Sequence, residues 1–246
     1  MALDYVLKFP CEVRRQVPED QLTTLVGYMS LAEFAVAQLR QRNPDESMES
    51  ILGNYQVQVQ QTRPDGTVTQ APMTIGQLVA QARTLAPYRP HCAECRANIA
   101  DRPFGCIAKV NYPIRRETEE WLLTRLPADA AHPNLQLLLR FLPEFKVDGR
   151  GVDALRERLF EHKQPLARRW TTAQGERHIT SSQLLELLGF GGPIGPDQAD
   201  LYTRMLGLAS VLSEPHPPSE QIEQFKTMMC AIVMAGRLKS WVGVDS

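Results

Sequence analysis

The sequence predicts an α+β protein, predominantly helical, with one or two β-hairpin–helix units and a cysteine-rich metal loop. Three observations carry this expectation. Tyr55, Val57 and Val59 alternate with Gln56, Gln58 and Gln60, the period of a half-buried strand. Longer segments repeat apolar residues at helical spacing. The stretch "HCAECRANIADRPFGC", His91 to Cys106, holds three of the chain's 5 cysteines at C-x2-C-x10-C spacing.

The first helix is expected over Leu22–Gln41. Pro18, Glu19 and Asp20 open it, the acids suiting the positive end of a helix dipole. Leu22, Leu25, Val26, Met29, Ala32, Ala35 and Val36 then recur at helical spacing, and "RNPDES" (42–47) breaks the run. The alternating strand should turn back at "RPDG" (63–66) into a return strand over 67–70. Pro64 pre-sets φ there and Gly66 permits positive φ. Thr74 starts the helix "TIGQLVAQARTL", with Gln77 in the T-x-x-Q register of a capping box.

The same phrase recurs later. "RRWTTAQGERHI" reads as two short strands around "AQG", and Thr180 and Gln183 repeat the capping register ahead of "LLELLGF". Two copies of hairpin, T-x-x-Q-L and helix fit a duplication, or convergence on a common cap. A duplication requires the same strand pairing in both.

The rest reads as helix: Glu117–Arg125, Leu135–Leu142, and Val152–His162 after a "KVDGRG" turn (146–151). "GFGGPIGPD" (189–197) ends one helix and starts another, running to about 212. "SEPHPPSE" (213–220) is a stiff connector. Ser219 is expected to cap a last helix that turns Ile222, Phe225, Met229, Ile232, Val233 and Gly236 to the core. The best boundary falls near "NYPIRRE" (111–117). It separates residues 1–112, with a helix, a hairpin and the cysteine loop, from 113–246, mainly helical with a second hairpin; one continuous domain also fits.

With 43% hydrophobic and 22% charged residues, this 246-residue chain can bury a core without disulfides. Its 27 basic and 28 acidic side chains leave a net charge of −1, so nucleic acid is not the expected partner. The pairs Arg14–Arg15, Arg115–Arg116 and Arg168–Arg169 are the local basic spots, and solvated helix faces account for them. The N-terminus carries Asp4 and lacks a signal-peptide core, and no apolar run approaches the ~20 residues of a membrane span. The expectation is a cytoplasmic protein with a protein partner and no membrane. In that compartment clustered thiols bind metal or do chemistry more often than they form disulfides.

C-x2-C is the shape of a zinc knuckle: two thiolates on one tight turn share a tetrahedral ion. Cys92 and Cys95 form the pair, and Cys106, behind Gly105, supplies a third sulfur. A closed site needs a fourth ligand. Cys11, in the proline-shaped turn "KFPCEV", is the first choice, ahead of His132 and His91. Zinc is the expected cofactor. An iron–sulfur cluster, a redox Cys92–Cys95 pair and unligated core cysteines are the alternatives. Cys230 sits mid-helix and reads as core packing. Zinc nucleobase deaminases pair H-x-E with a downstream P-C-x-x-C. Here "PHCAEC" carries one inserted residue and no histidine precedes His91, so that family is excluded.

Other catalytic signatures are absent: no P-loop, no H-E-x-x-H and no G-x-S-x-G. Pro193 and Pro196 remove backbone donors that "GFGGPIGP" would need to hold a phosphate. Glu161–His162 and Glu176–His178 are neighbouring acid–histidine pairs, and Cys106 with His132 or His178 is a conceivable thiol–base pair. Trp241 in the tail is a conceivable anchor. The resulting expectation is an interaction or adaptor protein with a structural zinc knuckle. The alternatives are an enzyme or electron carrier using the cysteine centre, and nucleic-acid binding through the arginine pairs.

Overall fold

The computed structural model describes residues 2–62, 68–100, 102–215 and 219–245. The "RPDG" turn and His216–Pro218 of the proline-rich connector lie outside the described residues. Helix makes up 56% of the chain and strand 18%, so the fold is α+β with helix dominant.

In chain order come β1 (Ala2–Lys8), α1 (Glu12–Gln16), α2 (Glu19–Arg42), α3 (Met48–Asn54), β2 (Gln56–Thr62), β3 (Val68–Thr74), α4 (Ile75–Ala82) and α5 (Arg89–Ala93). Then follow β4 (Ile107–Asn111), α6 (Arg116–Thr124), α7 (Pro133–Glu144), α8 (Arg150–Asp153), α9 (Arg156–Leu159), β5 (Ala167–Thr172) and β6 (Gly175–Thr180). The chain closes with α10 (Ser181–Leu185), α11 (Pro196–Met205), α12 (Glu220–Leu238) and β7 (Trp241–Asp245). Two compact units result: Pro10–Cys95, and Met1–Phe9 together with Arg96–Ser246. The smaller unit is thus inserted in the chain between β1 and β4.

In the smaller unit, α2 begins at Glu19, one turn earlier than the apolar stripe suggests, because Pro18 occupies the N-cap and Glu19 and Asp20 fill the first turn. Leu22, Leu25, Val26, Met29 and Ala32 are its buried stripe. By length and composition α2 also meets the criteria for a bilayer span, with an 18-residue window of mean hydropathy 1.3. Hairpin β2–β3 is antiparallel, from Gln56↔Thr74 to Thr62↔Val68. Ala32, Ile51, Val59, Met73, Ile75 and Leu78 form this unit's core, with Tyr28, Leu31, Val36 and Leu39 of α2 packed around it.

The larger unit is built on an antiparallel sheet of order β4-β1-β7. Leu3, Tyr5 and Leu7 of the central strand are wholly buried, and α12 packs against all three strands. The helical stripe of α12 is as expected, with Ile222, Phe225, Met229, Ile232, Val233 and Gly236 all buried. Ser219 holds the N-cap position, but its hydroxyl turns away and donates to Glu117 Oε1 at 2.9 Å. The expected Val152–His162 helix is instead two single turns, α8 and α9. Leu155 closes a tight bond to the Val152 carbonyl at 3.0 Å, and Arg156, which opens α9, is buried. The expected helix after 195 stops at Met205, where Gly207 adopts a positive φ of 63° and a 3-10 segment, Leu208–Ser213, takes over.

The two hairpin–helix units pair alike. In each, the capping threonine is the last residue of the second strand and lies opposite the first residue of the first strand: Gln56↔Thr74 and Ala167↔Thr180. The next residue donates its N–H across the base of the hairpin, Ile75 to the Tyr55 carbonyl at 3.1 Å and Ser181 to the Leu166 carbonyl at 2.8 Å. Val59 and Trp170, fourth in their strands, are both buried, as are Met73 and Ile179 beside the caps. Both capping boxes close reciprocally: Gln77 N donates to Thr74 Oγ1 at 3.1 Å and Thr74 N to Gln77 Oε1 at 2.8 Å. The Thr180–Gln183 distances are 3.2 and 3.0 Å. Thr74→Ala and Thr180→Ala should each cost about 1 kcal/mol. Urea unfolding checks this, and Thr→Ser at either position should restore most of the loss.

Candidate functional site

None of the five cysteines is in a disulfide. Cys11 holds the N-cap position of α1, half-buried, without a capping bond from its sulfur. Cys92 lies in the last turn of α5, 7% exposed. Cys95 follows just beyond the helix, half-buried, its N–H donating to the Cys92 carbonyl at 3.3 Å. That bond closes one turn running from Cys92 to Cys95 off the end of α5, the arrangement C-x2-C spacing predicts. All three belong to the smaller unit. Within it the charge of His91 helps hold the Glu12 carboxyl below its ordinary range, after hydrogen bonding from Gln16, the largest cause, and the charge of Arg15.

Cys106 belongs to the larger unit, where its carbonyl accepts the Leu7 N–H at 2.8 Å and it leads into β4. The positive φ before it falls on Phe104, at 60°, rather than on Gly105. Gly105 serves close approach: a Cβ there would stand 2.1 Å from Asn98 Oδ1. Among the described residues, no three His, Cys, Asp or Glu side chains come together in an arrangement that could hold a metal ion.

Most of the other sequence candidates are engaged structurally. His132 caps α7, its Nδ1 accepting the Asn134 N–H at 3.2 Å. His162 Nε2 lies 3.5 Å from Arg116 Nη1. Glu176 pairs with Arg169 at 2.6 Å and His178 is exposed on β6. Arg168 donates to the Leu123 and Leu126 carbonyls at 2.9 and 2.6 Å, while Arg115 and Arg116 pair with Glu117 and Glu120. Cys230 is 9% exposed, and burial pushes its thiol up, away from the reactive thiolate.

The most concentrated polar cluster is one that sequence reasoning missed. Arg156, 1% exposed, donates from Nη2 to Glu119 Oε1 at 2.5 Å and to Ser181 and Ser182 Oγ at 3.0 and 2.9 Å. Its Nε reaches Asp153 Oδ1 at 3.1 Å and its Nη1 the His162 carbonyl at 3.2 Å. The guanidinium also lies 4.7 Å over the Phe160 ring. Glu119 is wholly buried, and its Oε2 has no hydrogen-bond partner among the described residues. The cluster ties α6, α8, α9 and α10 into one body and leaves no face of the arginine open to a ligand. In sequence, Arg156 stands in "ALRERLF" like any solvated helix arginine.

Two phenols in the larger unit are also unusual. Burial, with a smaller push from Asp4, raises the Tyr112 hydroxyl from 10.0 to about 12. Burial, seconded by Cys230, raises Tyr5 further. A raised folded-state value means the fold favours the neutral phenol. The stability this supplies is complete below about pH 10 and is lost as pH climbs toward 12. Alkaline unfolding followed by tyrosinate absorbance should therefore set in above pH 10, and Tyr112→Phe should shift its midpoint upward.

A groove of about 660 Å³ runs between α7 and the β5–β6 tip, lined by Leu137, Arg140, Pro143, Gln174 and Arg177 among others. Leu137 on its wall and Phe145 beyond the end of α7 stand 43% and 64% exposed, with Phe145 stacked on Phe141 at 4.4 Å. Compared with known protein families, curated proteins and solved structures, the chain matches none.

Proposed function

We propose that this protein is a non-catalytic interaction or adaptor protein whose cysteine turn holds a structural zinc ion. The observation that carries the proposal is the Cys92–Cys95 turn, with its 3.3 Å backbone bond, in the same compact unit as Cys11. Two thiolates on one turn are the usual nucleus of a zinc knuckle. Cys11 is the further thiol that the same compact unit supplies. The exposed Leu137 supports the partner half: an apolar side chain in a groove with Arg140, Glu144 and Arg177 has the make-up of a protein-binding surface, and Phe145 stands exposed just beyond the end of α7.

The test is elemental analysis and a visible spectrum of protein purified without air, repeated on Cys92→Ser and Cys95→Ser. The expected result is one zinc per chain, no colour, and loss of the zinc in both variants with melting lowered by about 5 °C or more. Unchanged melting in both would sink the structural role. Iron and a brown colour would replace the adaptor reading with electron transfer.

A further inference from the structure

We propose that Cys92 and Cys95 are also a reversible redox pair, closed to a disulfide by hydroperoxides. Reach comes first. The Cys95 N–H to Cys92 carbonyl bond closes a turn, which keeps the two Cα atoms within about 7 Å. A disulfide spans Cα separations of about 4.4–6.8 Å, so the turn holds the two cysteines in the range a disulfide bridges. Access comes second. Cys95 is half-buried and can meet an oxidant, while Cys92 at 7% exposure is shielded and suited to the second step. The asymmetry is that of an attacking and a resolving thiol.

The Cys95 thiolate attacks the distal oxygen of the hydroperoxide. The O–O bond breaks, the sulfur is oxidised to a sulfenic acid, and water or an alcohol leaves. The Cys92 sulfur then displaces the hydroxyl of the sulfenic acid. An S–S bond forms, an S–O bond breaks, and the Cys92 proton departs with the hydroxide as water. A dithiol reverses the change by two exchanges. The disulfide keeps neither thiolate, so the closed pair cannot hold zinc; this consequence, unlike the disulfide itself, rests on the metal reading above.

The experiment treats full-length protein, as purified and after chelation, with a small excess of hydrogen peroxide, then alkylates and maps the peptides. Both cysteines fall in one tryptic peptide, Thr84–Arg96, because Pro90 protects the bond after Arg89. The expected result is that this peptide loses two hydrogens, resists alkylation, and regains both thiols on reduction. In Cys92→Ser, dimedone should label Cys95 instead. Alkylation of both thiols after peroxide, or a disulfide from either to Cys11 or Cys106, overturns the pair. Bound zinc without the disulfide overturns the switch and leaves the metal reading standing. The disulfide in a chain that never binds zinc supports the switch and removes the metal reading.

Discussion

Arg156→Met should destabilise the protein by about 3–5 kcal/mol, because it strands a carboxylate in the interior. Glu119 is wholly buried, and its Oε1 is held by the Arg156 Nη2 at 2.5 Å and the Ser181 hydroxyl at 2.7 Å. Its second oxygen already lacks a partner among the described residues. Methionine fills the volume of the arginine stem, so the loss reports charge and hydrogen bonds rather than a cavity. The double variant Arg156→Met with Glu119→Leu should recover most of the loss, since an apolar pair carries no desolvation penalty. Urea unfolding of the two variants decides the point. A single-variant loss below about 1 kcal/mol, or a double variant no better than the single, would show that the pair is not the clamp its geometry describes.

Gln221→Leu should cost about 2–4 kcal/mol, through four hydrogen bonds lost from one side chain. Gln221 is 5% exposed. Its amide donates to the Asn111 and Pro113 carbonyls at 2.7 and 2.8 Å, and its carbonyl accepts from Arg115 N at 2.8 Å and Thr118 Oγ1 at 2.7 Å. The side chain thus pins α12 to the segment joining β4 and α6, where no regular structure satisfies those backbone groups. Gln221→Glu separates the two halves of the effect. It keeps both accepted bonds but turns an oxygen toward two carbonyls, so it should remain clearly destabilised. Hydrogen exchange at the Arg115 amide supplies a local readout and should quicken in the leucine variant more than in the glutamate variant. Equal protection in all three proteins would contradict the assignment.

Neither of these residues announces itself in the sequence. Arg156 and Gln221 stand on helices among charged and polar neighbours, the pattern of a solvated face. Their partners lie 37 and 106 positions away in Glu119 and Arg115, and no local period records such a pairing. The central sheet was hidden for a related reason. In β1, Leu3, Tyr5 and Leu7 do alternate with Asp4 and Lys8, but Val6 blurs the pattern. The neighbours β4 and β7 are five residues each, too short for a period to stand out. The Val152–His162 stretch keeps helical periodicity, yet it forms two separate turns, and Arg156 at the start of the second is buried against a carboxylate 37 positions away.

The cysteine turn divides along the same line. That Cys92 and Cys95 share a turn was legible from their spacing, because residues i and i+3 are the ones a single turn brings together. Where Cys106 stands depends on the pairing of β1 with β4, chain segments about a hundred residues apart.

By itself the sequence determined what is decided within a few residues: the α+β character, both hairpins, both Thr–Gln capping boxes, the buried stripes of α2 and α12, and the tight Cys92–Cys95 turn. Each depends on bonds or side-chain periods spanning at most a few positions, so the local residue types suffice. Only the tertiary structure decided the β4-β1-β7 sheet, the insertion of residues 10–95 between neighbouring strands, and the burial of Arg156, Glu119 and Gln221. Those features exist because a distant segment supplies the counter-charge, the hydrogen bond or the neighbouring strand. A polar side chain is written the same way whether water or a remote carboxylate receives it.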